Sequence, residues 1–148
     1  MFNIHVERVI SKNINTVFDV LSDVGRYSKF RGVRMAKILE PGNTEPFGLG
    51  ALRYVDTGPV QFNERITQFE RPNRLDYKIE RARPLPFRHE LGSITLTEVA
   101  GGTKVVWVSK GRVNIPLLGR LFFDKKVERQ GNQAFGSLLK QLAQLEDV

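Results

Sequence analysis

The 148-residue sequence has no cysteine, which excludes disulfides, thiolate metal sites and a cysteine nucleophile. Histidine is nearly as scarce. Only His5 and His89 are present, so a multi-histidine zinc or iron centre is not expected. No run approaches the ~18 continuous apolar residues of a membrane span. The start, Met1-Phe2-Asn3-Ile4-His5-Val6, lacks the basic-then-apolar order of a secretory signal, and the expected location is the cytoplasm. There is no nucleophile elbow, paired-histidine motif or phosphate-binding glycine loop. Neither a cofactor nor a metal is therefore expected, and no catalytic residue is assigned. Repeats, low-complexity tracts and linkers are also lacking, so residues 1–148 read as one domain.

What is present is the composition of a folded globular chain, 41% hydrophobic and 26% charged. The net charge is +7. Its carriers are spread along the sequence: Arg26, Lys29, Arg31 and Arg34; Arg81, Arg83 and Arg88; Lys104, Lys110 and Arg112; Lys125, Lys126 and Arg129. No cluster resembles a nucleic-acid arm, so nucleic acid is not the expected partner. Peripheral contact with an anionic membrane stays open.

Alternation of apolar and polar residues predicts strands at Phe2–Ile10, Val33–Glu40, Gly50–Asp56, Val60–Phe69, Leu75–Glu80, Arg88–Val99 and Thr103–Val113. Pro41-Gly42, Thr57-Gly58-Pro59, Arg71-Pro72-Asn73 and Gly101-Gly102 separate them as turns. Asn15 reads as the N-cap of a short helix over Thr16–Asp23, and Arg26–Phe30 as a second helical turn. From Leu117 to Glu146 the pattern predicts one long helix after Pro116. Its residues Leu117, Leu121, Phe135, Leu138, Leu139, Leu142 and Leu145 fall on a stripe about 120° wide.

Strands segregated from helices imply an α+β fold. A sheet of about seven strands is long enough to curl. The one long amphipathic helix has the concave face as its partner, and a helix laid in a curve leaves space for a ligand.

Several segments carry a family resemblance: the first strand followed by Asn15–Val24; Gly58–Ile66; Phe69–Leu75; the hairpin of Ile94–Val99 with Gly101–Trp107; and the closing helix. In this order and spacing the chain resembles the START-like (SRPBCC) superfamily, the helix-grip or birch-pollen-allergen fold. Within it, the chain is similar to the polyketide cyclase/dehydrase and lipid-transport family. The resemblance implies a deep cavity between the sheet and the last helix. It also implies a hydrophobic ligand such as a lipid, sterol, quinone or polyketide. Some members are aromatase/cyclases or dehydratases, and fold alone does not choose among these roles.

Strand parity supplies the expected lining, on the rule that charged positions face water. Leu52 and Tyr54, Phe62 and Glu64, Tyr77, and Trp107 are expected inside, and continuing the parity of Ile94 places Arg88 and Glu90 there too. A β-bulge would invert that parity. On the helix stripe Asp124, Glu128 and Gly131 interrupt the apolar residues, and are expected at the pocket rim, with Phe123 beside them. Two functions follow from this lining, and a third from the net positive charge. In the leading one the chain binds or transfers a small hydrophobic molecule. In the second it is a cyclase or dehydratase using Glu64, Arg88, Glu90, Tyr54 or Tyr77. In the third it is a basic module for an anionic membrane or RNA.

Overall fold

A computed structural model describes residues 1–146. Seven strands form one antiparallel sheet in the order β1-β7-β6-β5-β4-β3-β2. They are β1 (Phe2–Ile10), β2 (Met35–Glu40), β3 (Leu52–Asp56), β4 (Gln61–Glu70), β5 (Arg74–Arg83), β6 (Phe87–Val99) and β7 (Gly102–Val113). A helix α1 (Ile14–Ser22) and a 3-10 segment Val24–Lys29 follow β1. After β7 come a π turn at Gly119–Phe123 and the long helix α2 (Asp124–Ala143). The α+β architecture, the strand count and the two short helical pieces agree with the expectation.

Two local expectations shift. The N-cap of α1 is Asn13 rather than Asn15, its side chain accepting from the Asn15 N–H at 2.8 Å. The last helix begins just after Leu117, which sits at φ 62°, a left-handed conformation outside any right-handed helix; its first turn, Gly119–Phe123, is π and leads without a break into regular α-helix from Asp124 to Ala143.

The core lies between the concave face and α1, the 3-10 segment and the C-terminal half of α2. Val17, Phe18 and Leu21 of α1 meet Ile66, Leu75, Ile94, Leu96 and Val105 of the sheet, and Leu138, Leu139 and Leu142 of α2 close over them. The N-terminal half of α2 does something else. It fastens the free edge of β1: the Asn3 N–H donates to Glu128 Oε1 at 2.7 Å and the His5 N–H to Asn132 Oδ1 at 3.1 Å. One helical turn of four residues rises about 6 Å and two strand residues about 6.7 Å, so the two spacings match. Gly131 permits the approach, since a Cβ there would lie 2.2 Å from Ile4 Cδ1. An otherwise unpaired strand edge is thereby covered.

Candidate functional site

The sheet is continuous everywhere but between β5 and β6. Those strands pair only from Arg74–Thr95 to Tyr77–Gly92. Beyond that rung β5 stays with β4 as far as Gln61–Arg83, and β6 stays with β7 as far as Phe87–Val113. The distal end of the sheet is therefore split in two. The cause is local. A bulge between His89 and Leu91 takes Glu90 out of register. His89 then turns inward, and its imidazole replaces the missing rung: the Ile79 N–H donates to Nδ1 at 3.0 Å.

That bond settles the tautomer. Nδ1 is the acceptor, so Nε2 carries the proton and donates to Ser109 Oγ at 2.8 Å. Burial, and then the nearby Lys78 charge, lower the His89 pKa to about 4. The ring is neutral at physiological pH.

His89 ends a polar strip that crosses the apolar interior. Its ring stacks on Tyr77 with centroids 5.7 Å apart. Gly92 makes room for that tyrosine, because a Cβ there would lie 2.5 Å from the Tyr77 ring. The Trp107 indole N–H donates to the Tyr77 hydroxyl at 2.9 Å, and Trp107 stacks on Phe135 of α2 at 4.1 Å. Farther along, Arg53 Nη2 donates to Glu64 Oε1 at 2.7 Å, and the Arg53 guanidinium lies 5.3 Å from the Tyr27 ring centre and 5.8 Å from that of Tyr77. Arg53 is fully buried, and its Nε has no hydrogen-bond partner among the described residues. Burial first, and then the Glu64 charge, raise the Tyr77 pKa, so the phenol stays protonated.

Outside the strip, the split forms an open groove of about 740 Å³ lined by Lys78, Ile79, Glu80, Phe87, Arg88, His89 and Glu90. On its inner side Phe62 of β4 reaches Phe87 of β6 with ring centroids 5.8 Å apart. A smaller pocket of about 140 Å³ lies on the outer face, among Tyr54, Asp56, Gln61, Asn63, Arg81 and Arg83. Neither is lined by a residue of α2, so both open on the sheet side of the grip.

The expected lining residues divide accordingly. Phe62, Glu64, Tyr77 and Trp107 are inside, as parity predicts, with Glu64 opposite Arg53 in the β3–β4 register. Arg88 and Glu90 are exposed and face outward, because the bulge inverts the parity. Leu52 and Tyr54 also face outward, opposite Arg65 and Asn63. Asp124 and Glu128 are not a pocket rim. Asp124 is buried, accepting from the Val113 N–H at 2.7 Å and pairing with the Met1 amine at 2.7 Å, and Glu128 serves the β1 edge. Gly131 lies against Ile4, and half-buried Phe123 touches Phe122 edge-on at 5.5 Å.

Sequence reasoning missed Arg53 and His89. On β3 both parities carry apolar residues, Leu52 with Tyr54 and Arg53 with Val55, and placing charge outside chose the wrong pair. The available signal was Glu64, an inward acid that needed a cation. No group of three or more His, Asp or Glu among the described residues is arranged to hold a metal ion.

A family model described as polyketide cyclase / dehydrase and lipid transport matches residues 1–145. No curated protein matches the sequence significantly. Solved structures share the fold. A START superfamily protein from Mycobacterium smegmatis superposes with a TM-score of 0.79 at 12% identity, over 99% of this chain and all of that one (100%). The protein TTHA0849 from Thermus thermophilus gives 0.74 at 19% identity, over 96% of this chain and 94% of that one. DynU16, a protein of the dynemicin biosynthetic locus, gives 0.70 at 16% identity; 97% of this chain is covered, which spans only 46% of DynU16.

Proposed function

Because the chain belongs to the polyketide cyclase/dehydrase and lipid transport family, we propose that it binds a small, largely apolar molecule with a carbonyl or hydroxyl group at one end, admitted where β5 and β6 part. The observation that carries this reading is the polar strip. An apolar interior gains nothing from burying an arginine with an unpartnered Nε, a neutral histidine and a tyrosine–tryptophan pair. Those groups make sense as the end that reads the ligand's polar atom, while Phe62, Phe87 and Phe135 take its apolar body. Phe62 and Phe87 meet across the split, and parting them joins the outer groove to the strip.

A second reading has its own observation. His89 holds its proton on Nε2, donated to Ser109 Oγ, while Nδ1 is taken by the Ile79 N–H, so the neutral ring can polarise a bound carbonyl compound as a hydrogen-bond donor beside the Tyr77 hydroxyl. Conversion of a polyketide-like substrate that a His89→Gln variant no longer performs, while still binding it, separates catalysis from carriage.

Trp107 is the only tryptophan and belongs to the strip, so its emission reports occupancy. Titration with a long-chain fatty acid, a naphthoquinone and an aromatic polyketide, corrected for quenching of free tryptophan, should give a saturable change with at least one. Native mass spectrometry of gently purified protein should show a matching adduct. Flat emission with all three probes and an empty protein in the spectrometer would overturn the proposal.

A further inference from the structure

Most of this surface is ordinary in its apolar content, but one segment is not. Leu117, Leu118, Leu121 and Phe122 are between 56% and 69% exposed, four large apolar side chains within six consecutive residues. The other exposed large hydrophobics of the described residues are Val9 on β1, Met35 and Leu39 on β2, and Leu49 in the loop after it, and Met1 alone joins the cluster's end of the molecule through its amine on Asp124. Contiguous exposed apolar surface of this kind marks a contact with something else.

The charges around it are of one sign. Arg112, Arg120, Lys125, Lys126 and Arg129 are all exposed, and none of them makes an ion pair among the described residues. The only two acids from 112 to 129 are turned away: Asp124 is buried on the Met1 amine and the Val113 N–H, and Glu128 holds the Asn3 N–H. The outward side thus presents leucine and phenylalanine among uncompensated cations. The backbone helps hold it out. The Leu118 N–H donates to Pro116 O at 2.7 Å and the Gly119 N–H to Ile115 O at 2.9 Å, around a left-handed Leu117. The Asn114 N–H bonds Pro86 O at 2.7 Å, which ties this segment to the distal end of the β5–β6 hairpin, where the sheet splits.

We propose that residues 112–129 form a membrane-docking surface that seats this end of the protein on an anionic phospholipid bilayer. Leu117, Leu118, Leu121 and Phe122 enter the headgroup–acyl boundary, and Arg112, Arg120, Lys125, Lys126 and Arg129 engage the lipid phosphates. A second copy of the chain is the less suitable occupant, because a symmetric contact would bring five unpaired cations against five more. Docking here would hold the split between β5 and β6 next to the bilayer, the source from which an apolar ligand partitions. The docking surface itself does not depend on what the interior binds.

Sedimentation with vesicles tests it. The wild-type chain should pellet with phosphatidylcholine vesicles containing phosphatidylglycerol and stay in solution with phosphatidylcholine alone. A Leu121→Asp/Phe122→Asp variant should bind the anionic vesicles at least ~10-fold more weakly. A Lys125→Ala/Lys126→Ala variant should lose roughly fivefold per cation at low salt, and far less in high salt. All four positions are exposed, so circular dichroism and thermal unfolding should be unchanged. The proposal is overturned if neither vesicle pellets the protein, or if the Leu121→Asp/Phe122→Asp variant pellets as well as wild type, which would reduce the effect to bulk charge. It is equally overturned if light scattering shows a dimer that this variant splits, since a second copy then covers the patch.

Discussion

The two ends of the β5–β6 hairpin are built from the same two strands and behave in opposite ways. At its root, Leu75 pairs with Ile94 and Tyr77 with Gly92, the inward side is apolar, and α2 covers it with Leu138, Leu139 and Leu142. At its tip the strands part, and a histidine ring stands in for the ladder. The root is held by burial, which is non-directional and tolerant. The tip is held by a few directional bonds among polar groups, each costly to lose inside a protein. The lesson is that this sheet is weakest where its chemistry is richest.

Three changes put that contrast to the test. The largest effect is expected at the border between the two regions, where Glu64 lies opposite Ile79. Glu64→Ala leaves the buried Arg53 charge without its carboxylate and should cost about 3–5 kcal/mol in urea unfolding. The Arg53→Met/Glu64→Ala double variant should recover much of this, because no unpaired charge remains; equal losses in both would show that packing, not charge, dominates there.

Acid should then loosen the tip before the root. Folded His89 has a pKa lowered to about 4, against ~6.5 for an unfolded histidine. Between those values the unfolded chain binds a proton that the folded chain refuses. Stability is therefore complete above about pH 6.5 and falls as the pH drops towards 4, by about 3 kcal/mol in full. A proton on Nδ1 also turns the acceptor of the Ile79 N–H into a donor. Unfolding curves from pH 7 to pH 4.5 should be steeper in pH for the wild type than for His89→Gln, and parallel curves would remove His89 from the account.

The smallest effect belongs to the opposite edge. Asn132→Ala frees the His5 N–H at the rim of β1 and should cost about 1 kcal/mol. Hydrogen exchange should quicken at His5 and leave Leu75 and Ile94 unchanged. Faster exchange across the β5–β6 root would mean that the two edges are coupled.

Much of the fold was legible because its signals are short in range. Alternation along β1 and β7, the turn at Gly101 and the leucine spacing of α2 each lie within one element. The candidate site was half legible. Phe62, Glu64, Tyr77 and Trp107 obey the alternation of their strands, and their inward placement could be read. His89, Arg88 and Glu90 could not be placed, because one extra residue in β6 reverses everything beyond it and leaves no trace in the composition. Arg53 was hidden by the rule that charges face water, which holds for single residues and fails for pairs.

An antiparallel sheet closed by one amphipathic helix was thus written into the chain before it folded, since hydrophobic period and turn chemistry are properties of local sequence. Folding in three dimensions was needed to settle where the sheet opens, which cation meets Glu64, and that Asp124 holds the Val113 N–H and the Met1 amine while Glu128 fastens the edge of β1. Each of these depends on which residues, distant in sequence, offer a hydrogen-bond partner once the chain has folded, and no local pattern records that.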